Sequence, residues 1–166
     1  MQNSSVRPTD DIERVLRVYG NLLFRTSLMI LGNASDAEDV VQETMIKYMQ
    51  KAPKFESDDH EKAWLLTVAT NKCKDLLRFR MRHPVADIEQ INEFIRDNDG
   101  EAKDSGILEA LMLLPEKFRI VLLLYYVEEY RTEDIAKIIG KSASAVKMRL
   151  QKGRRLLEEI YRKDYL

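Results

Sequence analysis

The stretch from Thr132 to Arg155 decides the fold; it reads TEDIAKIIGKSASAVKMRLQKGRR. Its first part places isoleucine and alanine at helical spacing, and Gly140 then interrupts the pattern, as a residue that accepts a positive φ at a helix end does. Ser142 and Ser144 are both suitable N-caps for a second helix. The residues of that helix expected to pack inward are Val146, Leu150, Gly153 and Leu157. Two helices joined by a short turn that contains glycine are typical of a helix-turn-helix.

The second helix of this motif is basic. From Lys137 to Arg155 the sequence contains several Lys and Arg residues and no Asp or Glu. Lys147, Gln151 and Arg154 share one outward face of that helix. A run of charge is most often a solvated surface, but a basic helix after such a turn also suits DNA phosphates and base edges. The motif therefore predicts DNA binding, although Lys141 stands where an apolar residue is usual.

The composition predicts an all-α protein. Of 166 residues, 45% are hydrophobic and 33% are charged, and there are only 6 Gly and 4 Pro. No apolar run approaches the length of a membrane span, and the first residues contain no apolar signal core, so we expect a cytosolic protein. A single cysteine excludes an internal disulfide, and the two histidines show no metal-ligand spacing. We predict no metal, no cofactor and no small-molecule substrate.

Charge is segregated along the chain, although the formal net charge is only −1. Basic residues cluster at 72–82 and 137–155, whereas acidic residues dominate between the two clusters. A nucleic-acid-binding protein can be nearly neutral when its charges are separated in this way. We therefore predict two small helical domains, residues 1–83 and residues 106–166, joined by a flexible acidic linker over residues 84–105.

The second predicted helix of the first domain carries an acidic patch. A capping box is expected to open this helix, with Ser35 as the cap and Glu38 three residues later. The patch faces outward at spacing i, i+3 and i+4, and it consists of Asp39, Gln42 and Glu43. It is either a solvated acidic face or a docking surface for a basic partner.

A third helix is predicted from Glu61 to about Met81, after a polar loop around one aromatic residue, Phe55. Phe55 is either a core residue or an exposed contact. Cys73 falls on the apolar face, so we expect a buried residue and not a nucleophile. The opposite face mixes hydrogen-bonding and basic side chains: Thr67, Asn71, Lys74 and Arg78. This mixture suits phosphate and base contacts, and a solvated basic face is the alternative.

The second domain is expected to place Pro115 at the first position of a helix. The core residues predicted for this part of the domain are Phe118, Val121, Leu122, Leu124 and Tyr125. Residues 128–131 connect it to the helix-turn-helix, whose second helix is expected to run to about Arg162.

Four stretches, in family order, are similar to bacterial sigma factors of the extracytoplasmic-function (ECF) type, a group of the sigma-70 family. They are Asp36 to Thr44 (DAEDVVQET), Ala63 to Arg78, Leu114 to Arg119 (LPEKFR) and Asp134 to Leu150. A lone helix-turn-helix is a weak signal, whereas four ordered stretches along most of the chain are specific.

The resemblance implies a role for each domain. The first would correspond to sigma region 2 and would dock on the clamp helices of the RNA polymerase largest subunit through the patch Asp39, Gln42 and Glu43. Its basic helix and the preceding loop would open and read the minus-ten element, with one base flipped out of the non-template strand. The residues implied in this reading are Phe55, His60, Asn71, Lys72, Lys74 and Arg78.

The second domain would correspond to region 4, which contacts the polymerase flap and inserts its recognition helix into the major groove of the minus-thirty-five element. A bidentate contact from arginine to guanine would give about 1–3 kcal/mol of discrimination. The residues implied in this contact are Ser144, Lys147, Arg149, Gln151 and Arg154. The acidic linker would thread polymerase channels that RNA occupies later.

The family resemblance further implies a regulator, an anti-sigma factor that is often membrane-anchored and holds the protein inactive. It implies no catalytic residue, because such a factor recruits core polymerase and helps to melt promoters through binding energy. The chain departs from the family pattern at Glu129, where Gly is usual, at Ala145, where Thr is common, and at Met148, where a small polar residue is common. These departures concern the promoter sequence that is read.

Two other functions fit parts of the sequence. A free-standing helix-turn-helix regulator would bind duplex DNA with the second domain alone and would need no polymerase. A nucleic-acid enzyme would need clustered carboxylates or a nucleophile with its base. The carboxylates that imitate a metal cluster are Asp36, Glu38, Asp39 and Glu43. Their place in a capped helix beside the acidic patch argues against that function.

Overall fold

The computed structural model describes residues 9–79 and 105–165. Within these two ranges the chain forms α-helices and one π-helical turn, and no β-strand occurs there. The elements in chain order are α1 (Thr9–Leu31), α2 (Ala34–Lys51), α3 (Asp58–Phe79), α4 (Ser105–Leu113), α5 (Glu116–Leu122), the π-helical turn (Leu123–Val127), α6 (Thr132–Ile139) and α7 (Ala143–Tyr165). The all-α prediction is confirmed. The predicted linker over residues 84–105, except its last residue, lies outside the described residues.

Helices α1, α2 and α3 pack against one another around a common core. Tyr48, Leu23 and Leu65 are among its largest fully buried side chains. The apolar residues of each helix recur at helical spacing, so each helix buries one face and leaves the other in solvent. Cys73 is buried on the inner face of α3, as its position in the sequence predicts.

The N-cap of α2 differs from the predicted one. Asn33, and not Ser35, caps the helix, and its side chain accepts a hydrogen bond from the main-chain N–H of Asp36 at 2.9 Å. Asparagine caps helices as well as serine does. Gly32 takes a left-handed φ of 69° and ends α1, so the chain reaches cap geometry two residues earlier than the capping box predicts.

A partly buried ionic network joins the three helices of the first group. Glu61 at the start of α3 is 5% exposed and accepts two hydrogen bonds from Arg14 of α1, at 3.1 and 2.8 Å. The hydroxyl of Tyr48 on α2 donates to the same carboxylate at 2.8 Å. The hydrogen bonds to Glu61 and Asp11 raise the pKa of the Arg14 guanidinium. Glu61 is buried and Arg14 is its charged partner, so the network favours one arrangement of the three helices.

The predicted helix-turn-helix is confirmed. Helix α6 ends at Ile139, and Gly140 follows as its C-cap with a left-handed φ of 69°. Ser142 begins α7, because its hydroxyl accepts a hydrogen bond from the main-chain N–H of Ala145 at 3.1 Å. Ser144 lies inside α7 and is not its cap. The turn therefore uses the glycine and one of the two serines that the sequence offers.

Gly153 lies where α7 packs closely against α5. A Cβ at this position would lie 3.3 Å from both Phe118 and Leu122, so a larger side chain would push the helices apart. Val146 and Leu150 are buried on the same face of α7, as predicted.

One residue that was expected in the core, Tyr125, lies in the π-helical turn and is not buried. Tyr125 is exposed, whereas Leu123 and Leu124 before it are buried. A π-helical turn holds more residues per turn than an α-helix, so side chains after it rotate away from the α-helical pattern. The periodic pattern that predicted a buried Tyr125 does not continue through this turn.

The two helical groups share an interface. Helix α6 lies against α3, and α5 approaches α1. The buried guanidinium of Arg119 on α5 donates to the main-chain carbonyl of Ile30 in the last turn of α1. Arg25 of α1 pairs with Glu128 after the π-helical turn, at 3.1 Å. The sequence predicts two domains on a flexible linker, but it does not predict this contact between them.

Among the described residues, Glu129 is the non-glycine residue with a positive φ, at 58°. The family pattern has Gly at this position, and a left-handed conformation costs an L-residue about 1–2 kcal/mol. We expect Glu129→Gly to stabilise the protein by up to about 1 kcal/mol, after the greater unfolded-state freedom of Gly is subtracted, which would raise Tm by about 2–4 °C. Thermal unfolding followed by circular dichroism would measure this.

Glu159→Gly is the matched control, because Glu159 is exposed inside α7. That substitution should lower stability by about 1 kcal/mol. Equal destabilisation by both substitutions would contradict the strain at Glu129.

Candidate functional site

The acidic patch of α2 is exposed as the sequence predicts. Asp39, Gln42 and Glu43 all face solvent on one side of the helix. Ile46 follows Glu43 by three residues and is 50% exposed. Residues at i and i+3 are neighbours on a helix surface, so Ile46 adds an apolar side chain to the patch. Ile46 is absent from the predicted patch, although its spacing of three residues from Glu43 is a signal for it.

The patch is joined to α3 by one ion pair. Lys72 Nζ lies 2.8 Å from a carboxylate oxygen of Glu43, and both side chains are partly exposed. The hydrogen bond to Glu43 raises the pKa of Lys72, which stays protonated. The sequence assigns Glu43 to a protein contact and Lys72 to a DNA contact. The structure places these two side chains against each other.

The outer face of α3 exposes Asn71 and Arg78, while Lys74 between them is half-buried. Burial lowers the pKa of Lys74, and the nearby positive charges of Arg149 and Lys141 lower it further. Lys141 and Arg149 belong to the helix-turn-helix. Three cations from the two helical groups therefore lie near one another at the end of the interface.

Phe55 and His60 belong to an aromatic cluster at the loop between α2 and α3. Phe55 is half-buried, with its ring stacked on Tyr48 at 6.1 Å between centroids and edge-on to Trp64 at 5.8 Å. The exposed ring of His60 lies edge-on to Phe55 at 5.2 Å, and its Nδ1 accepts the main-chain N–H of Glu56 at 3.2 Å. The cluster fixes the loop, and His60 forms its solvent-facing edge.

Four of the five residues predicted on the recognition helix lie together on the outer face of α7. These exposed residues are Ser144, Lys147, Gln151 and Arg154. Met148 lies on the same face and is 70% exposed. Met148 is absent from the predicted contact residues, although its place among polar residues of the same face is a signal for it.

The fifth residue, Arg149, lies on a flank of α7. It is half-buried, and its charge acts on Lys74 of α3. At about 100° per residue, Arg149 points about 200° away from Lys147 around the helix axis. The two residues therefore cannot face the same part of a DNA groove.

A cleft of about 390 Å³ lies between α7 and the start of α6, and it is lined by Tyr125, Arg131, Lys147 and Arg154, among others. The guanidinium of Arg154 lies over the ring of Tyr126, 5.8 Å from its centroid, and Arg154 Nε donates to the carbonyl of Leu150. The stacking on Tyr126 gives Arg154 a fixed position at the rim of the cleft.

Other chemistry has little support in the described parts of the chain. No group of three or more His, Cys, Asp or Glu side chains is placed there to hold a metal ion. Four carboxylates of α2 resemble a metal-binding cluster in the sequence. Asp36 among them is buried, whereas Glu38, Asp39 and Glu43 are exposed. Burial raises the pKa of the Cys73 thiol to about 12, so it is a poor nucleophile. No helix in residues 9–79 and 105–165 is long and apolar enough to span a membrane.

Both helical groups match known family models. Residues 15–83 match sigma-70 region 2, and residues 105–157 match sigma-70 region 4. RNA polymerase sigma factor SigV of Bacillus subtilis is 28% identical over 134 residues, which cover 81% of each chain. ECF RNA polymerase sigma factor SigW of the same organism is 24% identical and covers 92% of this chain and 90% of its own.

Two solved structures share the fold. One is the sigma factor RpoE of Bartonella quintana in complex with the anti-sigma factor NepR, with a TM-score of 0.70, 24% identity and coverage of 94% of this chain and 99% of that chain. The other is CnrH in complex with the cytosolic domain of CnrY, with a TM-score of 0.70, 22% identity and coverage of 97% and 94%. With both family models matched in order, the chain belongs to the sigma-70 family of RNA polymerase sigma factors, in its extracytoplasmic-function group.

Proposed function

We propose that this chain is a promoter-specificity subunit, which binds core RNA polymerase through α2 and recognises two promoter elements with α3 and α7. The observation that carries the proposal is that one chain has three charged surfaces: the acidic patch of α2, the basic face of α3 and the basic face of α7. A free-standing regulator would need only the third surface. The first two surfaces are needed by a protein that binds both RNA polymerase and melted DNA.

The docking surface combines charge with an exposed apolar side chain. Asp39, Gln42 and Glu43 would pair with a basic surface, for which the clamp helices of the largest polymerase subunit are the proposed partner. Ile46 beside them would be buried on docking, as apolar side chains at the centre of an interface are. The flap of the polymerase is the proposed second contact, through the α4–α7 group.

The minus-ten surface would combine cations with an ordered loop. Asn71, Lys72, Lys74 and Arg78 line α3 along a path suited to a single strand. The aromatic cluster holds the loop before α3, and His60 is its exposed edge. We assign Phe55 a supporting role in this loop, because its ring is half-buried between Tyr48 and Trp64. A flipped base would then be read at the loop and held by the α3 cations.

The minus-thirty-five surface would be the outer face of α7. Ser144, Lys147 and Gln151 point outward at helical spacing, so they can reach base edges from within a major groove. Met148 among them would contact a thymine methyl group. Arg154, fixed over Tyr126, suits a backbone phosphate. Arg149 on the flank is assigned to a phosphate rather than to a base.

Regulation by an anti-sigma factor belongs to the same proposal. Two solved relatives with this fold are bound to anti-sigma factors or to the cytosolic domain of a partner. We infer that this chain has such a partner and acts in the cytoplasm, held at the membrane when that partner is anchored there. The chain would act by binding alone, with no catalytic residue of its own.

Run-off transcription tests the proposal. The test promoters are those of genes whose transcripts rise when the protein is overproduced. Core polymerase with this protein should produce defined transcripts from them, whereas core polymerase alone should not. A gel shift on the same promoters, with and without core polymerase, distinguishes this function from that of a free-standing regulator. Tight and selective duplex binding without core, together with no transcription, would identify a free-standing regulator.

Glu43→Lys is expected to weaken binding to core polymerase by about tenfold or more, because it reverses one charge in the docking patch. A pull-down or titration with labelled core in the absence of DNA measures this. DNA must be absent because the substitution also releases Lys72. Glu13→Lys makes the same charge change at an exposed site on α1 and should leave core affinity unchanged. Equal affinities for both variants would remove Glu43 from the docking surface.

Gln151→Ala and Arg149→Ala are expected to have different effects on promoter binding. Gln151→Ala should lower discrimination at one base pair of the minus-thirty-five element by about 1–3 kcal/mol. Arg149→Ala should weaken binding by a similar factor on every promoter sequence and reduce its salt dependence. Binding of the holoenzyme to a set of single-base promoter variants would show the difference. Loss of selectivity at one base in Arg149→Ala would reverse this assignment.

A further inference from the structure

A second cleft, distinct from the one beside α6, lies between α7 and the start of α5. Its volume is about 310 Å³, and the apolar side chains in its lining are Phe118 and Met148. The other described residues that line it are Gln151 and four cations: Lys117, Arg149, Lys152 and Arg155. Within residues 9–79 and 105–165, no Asp or Glu side chain lines this α5–α7 cleft.

The ring of Phe118 holds two of these cations near each other. Lys117 Nζ lies 5.0 Å from the ring centroid, and Lys152 Nζ lies 5.7 Å from it. Gly153, next to Lys152, allows this approach, because a Cβ there would lie 3.3 Å from Phe118. Both ammonium groups are attracted to the ring, whereas they repel each other. The packing of α7 on α5 therefore gathers positive charge at a place where a bound anion would be stabilised.

The cleft between α7 and the start of α6, here called the α6–α7 cleft, has a different charge balance. Arg131, Lys147 and Arg154 line it together with one carboxylate, Glu133. The α5–α7 cleft has four cations and no carboxylate among its described lining residues. Attraction for a phosphate group is therefore stronger at the α5–α7 cleft.

The two clefts lie on opposite flanks of α7. At about 100° per residue, Lys152 lies about 140° around the helix axis from Lys147, and the exposed Gln151 and Met148 lie between these directions. An α-helix with its side chains is about 10–12 Å across, and the major groove is about 12 Å wide. A helix in the groove therefore has one DNA strand on each side, so each cleft faces a different strand.

We propose that the α5–α7 cleft binds phosphates of one strand of the minus-thirty-five element, while the α6–α7 cleft binds phosphates of the other strand. This inference rests on the proposed promoter-binding function. It adds Lys117, Lys152 and Arg155 to the DNA-binding residues, and Lys117 lies on α5, outside the helix-turn-helix. Such contacts fix the position of the recognition helix in the groove but do not read the sequence.

Removal of one lysine tests the α5–α7 cleft. Lys117→Ala and Lys152→Ala should each weaken binding of the holoenzyme to promoter DNA by about threefold to tenfold, equally on all single-base variants of the minus-thirty-five element. Each should also reduce the slope of log affinity against log salt concentration by about 0.9, because one phosphate contact is lost. Both side chains are exposed, so the fold should be retained, and thermal unfolding followed by circular dichroism checks this.

The controls separate the effect of this cleft from the effect of net charge. Lys117→Arg and Lys152→Arg keep the positive charge and should bind promoter DNA as the wild type does. Arg17→Ala removes one positive charge at an exposed site on α1 and should change neither the affinity nor the salt dependence. Arg149 is not substituted in this test, because its charge also acts on Lys74 of α3.

Neutral phosphate replacements identify the strand that each cleft contacts. A series of promoter duplexes carries one methylphosphonate each, which removes the charge of a single phosphate on one strand or the other. The losses caused by Lys152→Ala and by a methylphosphonate at its contact should not add, because both remove the same interaction. This coupling is expected on one strand for Lys152→Ala and on the opposite strand for Arg154→Ala.

Two results would overturn the inference. An unchanged salt dependence in both Lys117→Ala and Lys152→Ala would mean that no phosphate lies in the α5–α7 cleft. Coupling of Lys152→Ala and Arg154→Ala to phosphates of the same strand would mean that the clefts do not face two strands.

Run-off transcription by the wild type separates these results from failure of the proposed function. If the wild type binds promoter DNA without core polymerase and directs no transcription, the proposed function fails. The same losses of affinity and salt dependence, measured without core polymerase, would then still support the two clefts. If the wild type binds no promoter DNA with or without core polymerase, the proposed function and the inference both fail.

Discussion

The side chain of Arg119 is buried, and its guanidinium donates to main-chain carbonyls from three places: Met112 on α4, Leu114 just after it and Ile30 on α1. The carbonyls of Met112 and Ile30 lie in the last turns of helices, where the helix dipole favours a positive charge. A buried cation without such acceptors would be strongly destabilising. The end of α1, the end of α4 and the start of α5 are therefore held in one arrangement.

This interaction explains why the two helical groups meet where they do. A lysine could not replace Arg119, because an ammonium lacks the planar fork that reaches several acceptors in fixed directions. The same region contains Arg25 and Glu128, which are partners across 103 positions of sequence. Helix α6 follows Glu128 closely along the chain, so fixing Glu128 against α1 also places the helix-turn-helix against α3. The position of the DNA-binding motif thus depends on polar contacts outside the motif.

Much of the fold could be predicted because it depends on local periodicity. Helical spacing alone predicts that Val146 and Leu150 face inward. Gly140 and Ser142 are the residue types that commonly end one helix and cap the next, and they do so here. The failures have a different origin. The sequence places Glu128 in a polar connector. Its carboxylate is buried because it pairs with Arg25, which is distant in the sequence. Tyr125 is displaced by a π-helical turn that no residue type specifies, and either Asn33 or Ser35 could have capped α2.

The site was predictable in its residue types and less so in its geometry. Helical spacing puts Asp39, Gln42 and Glu43 on one exposed face, and the family pattern suggests what that face binds. Spacing along a single helix cannot show that Lys72 pairs with Glu43, because that contact depends on how α2 and α3 pack.

The interface between the two helical groups combines polar contacts with apolar packing, because one cluster of buried hydrophobic side chains includes residues of both groups. Separating the groups would expose the apolar part of this interface to water, which opposes separation. Hydrogen-bonded charges at Arg25, Glu128 and Arg119 hold one orientation, yet water can solvate each of them once the groups separate. The like charges of Lys74 and Arg149 lie near one another at this interface. The repulsion between these cations opposes the contact between the groups, whereas the Arg25–Glu128 pair and the buried Arg119 favour it.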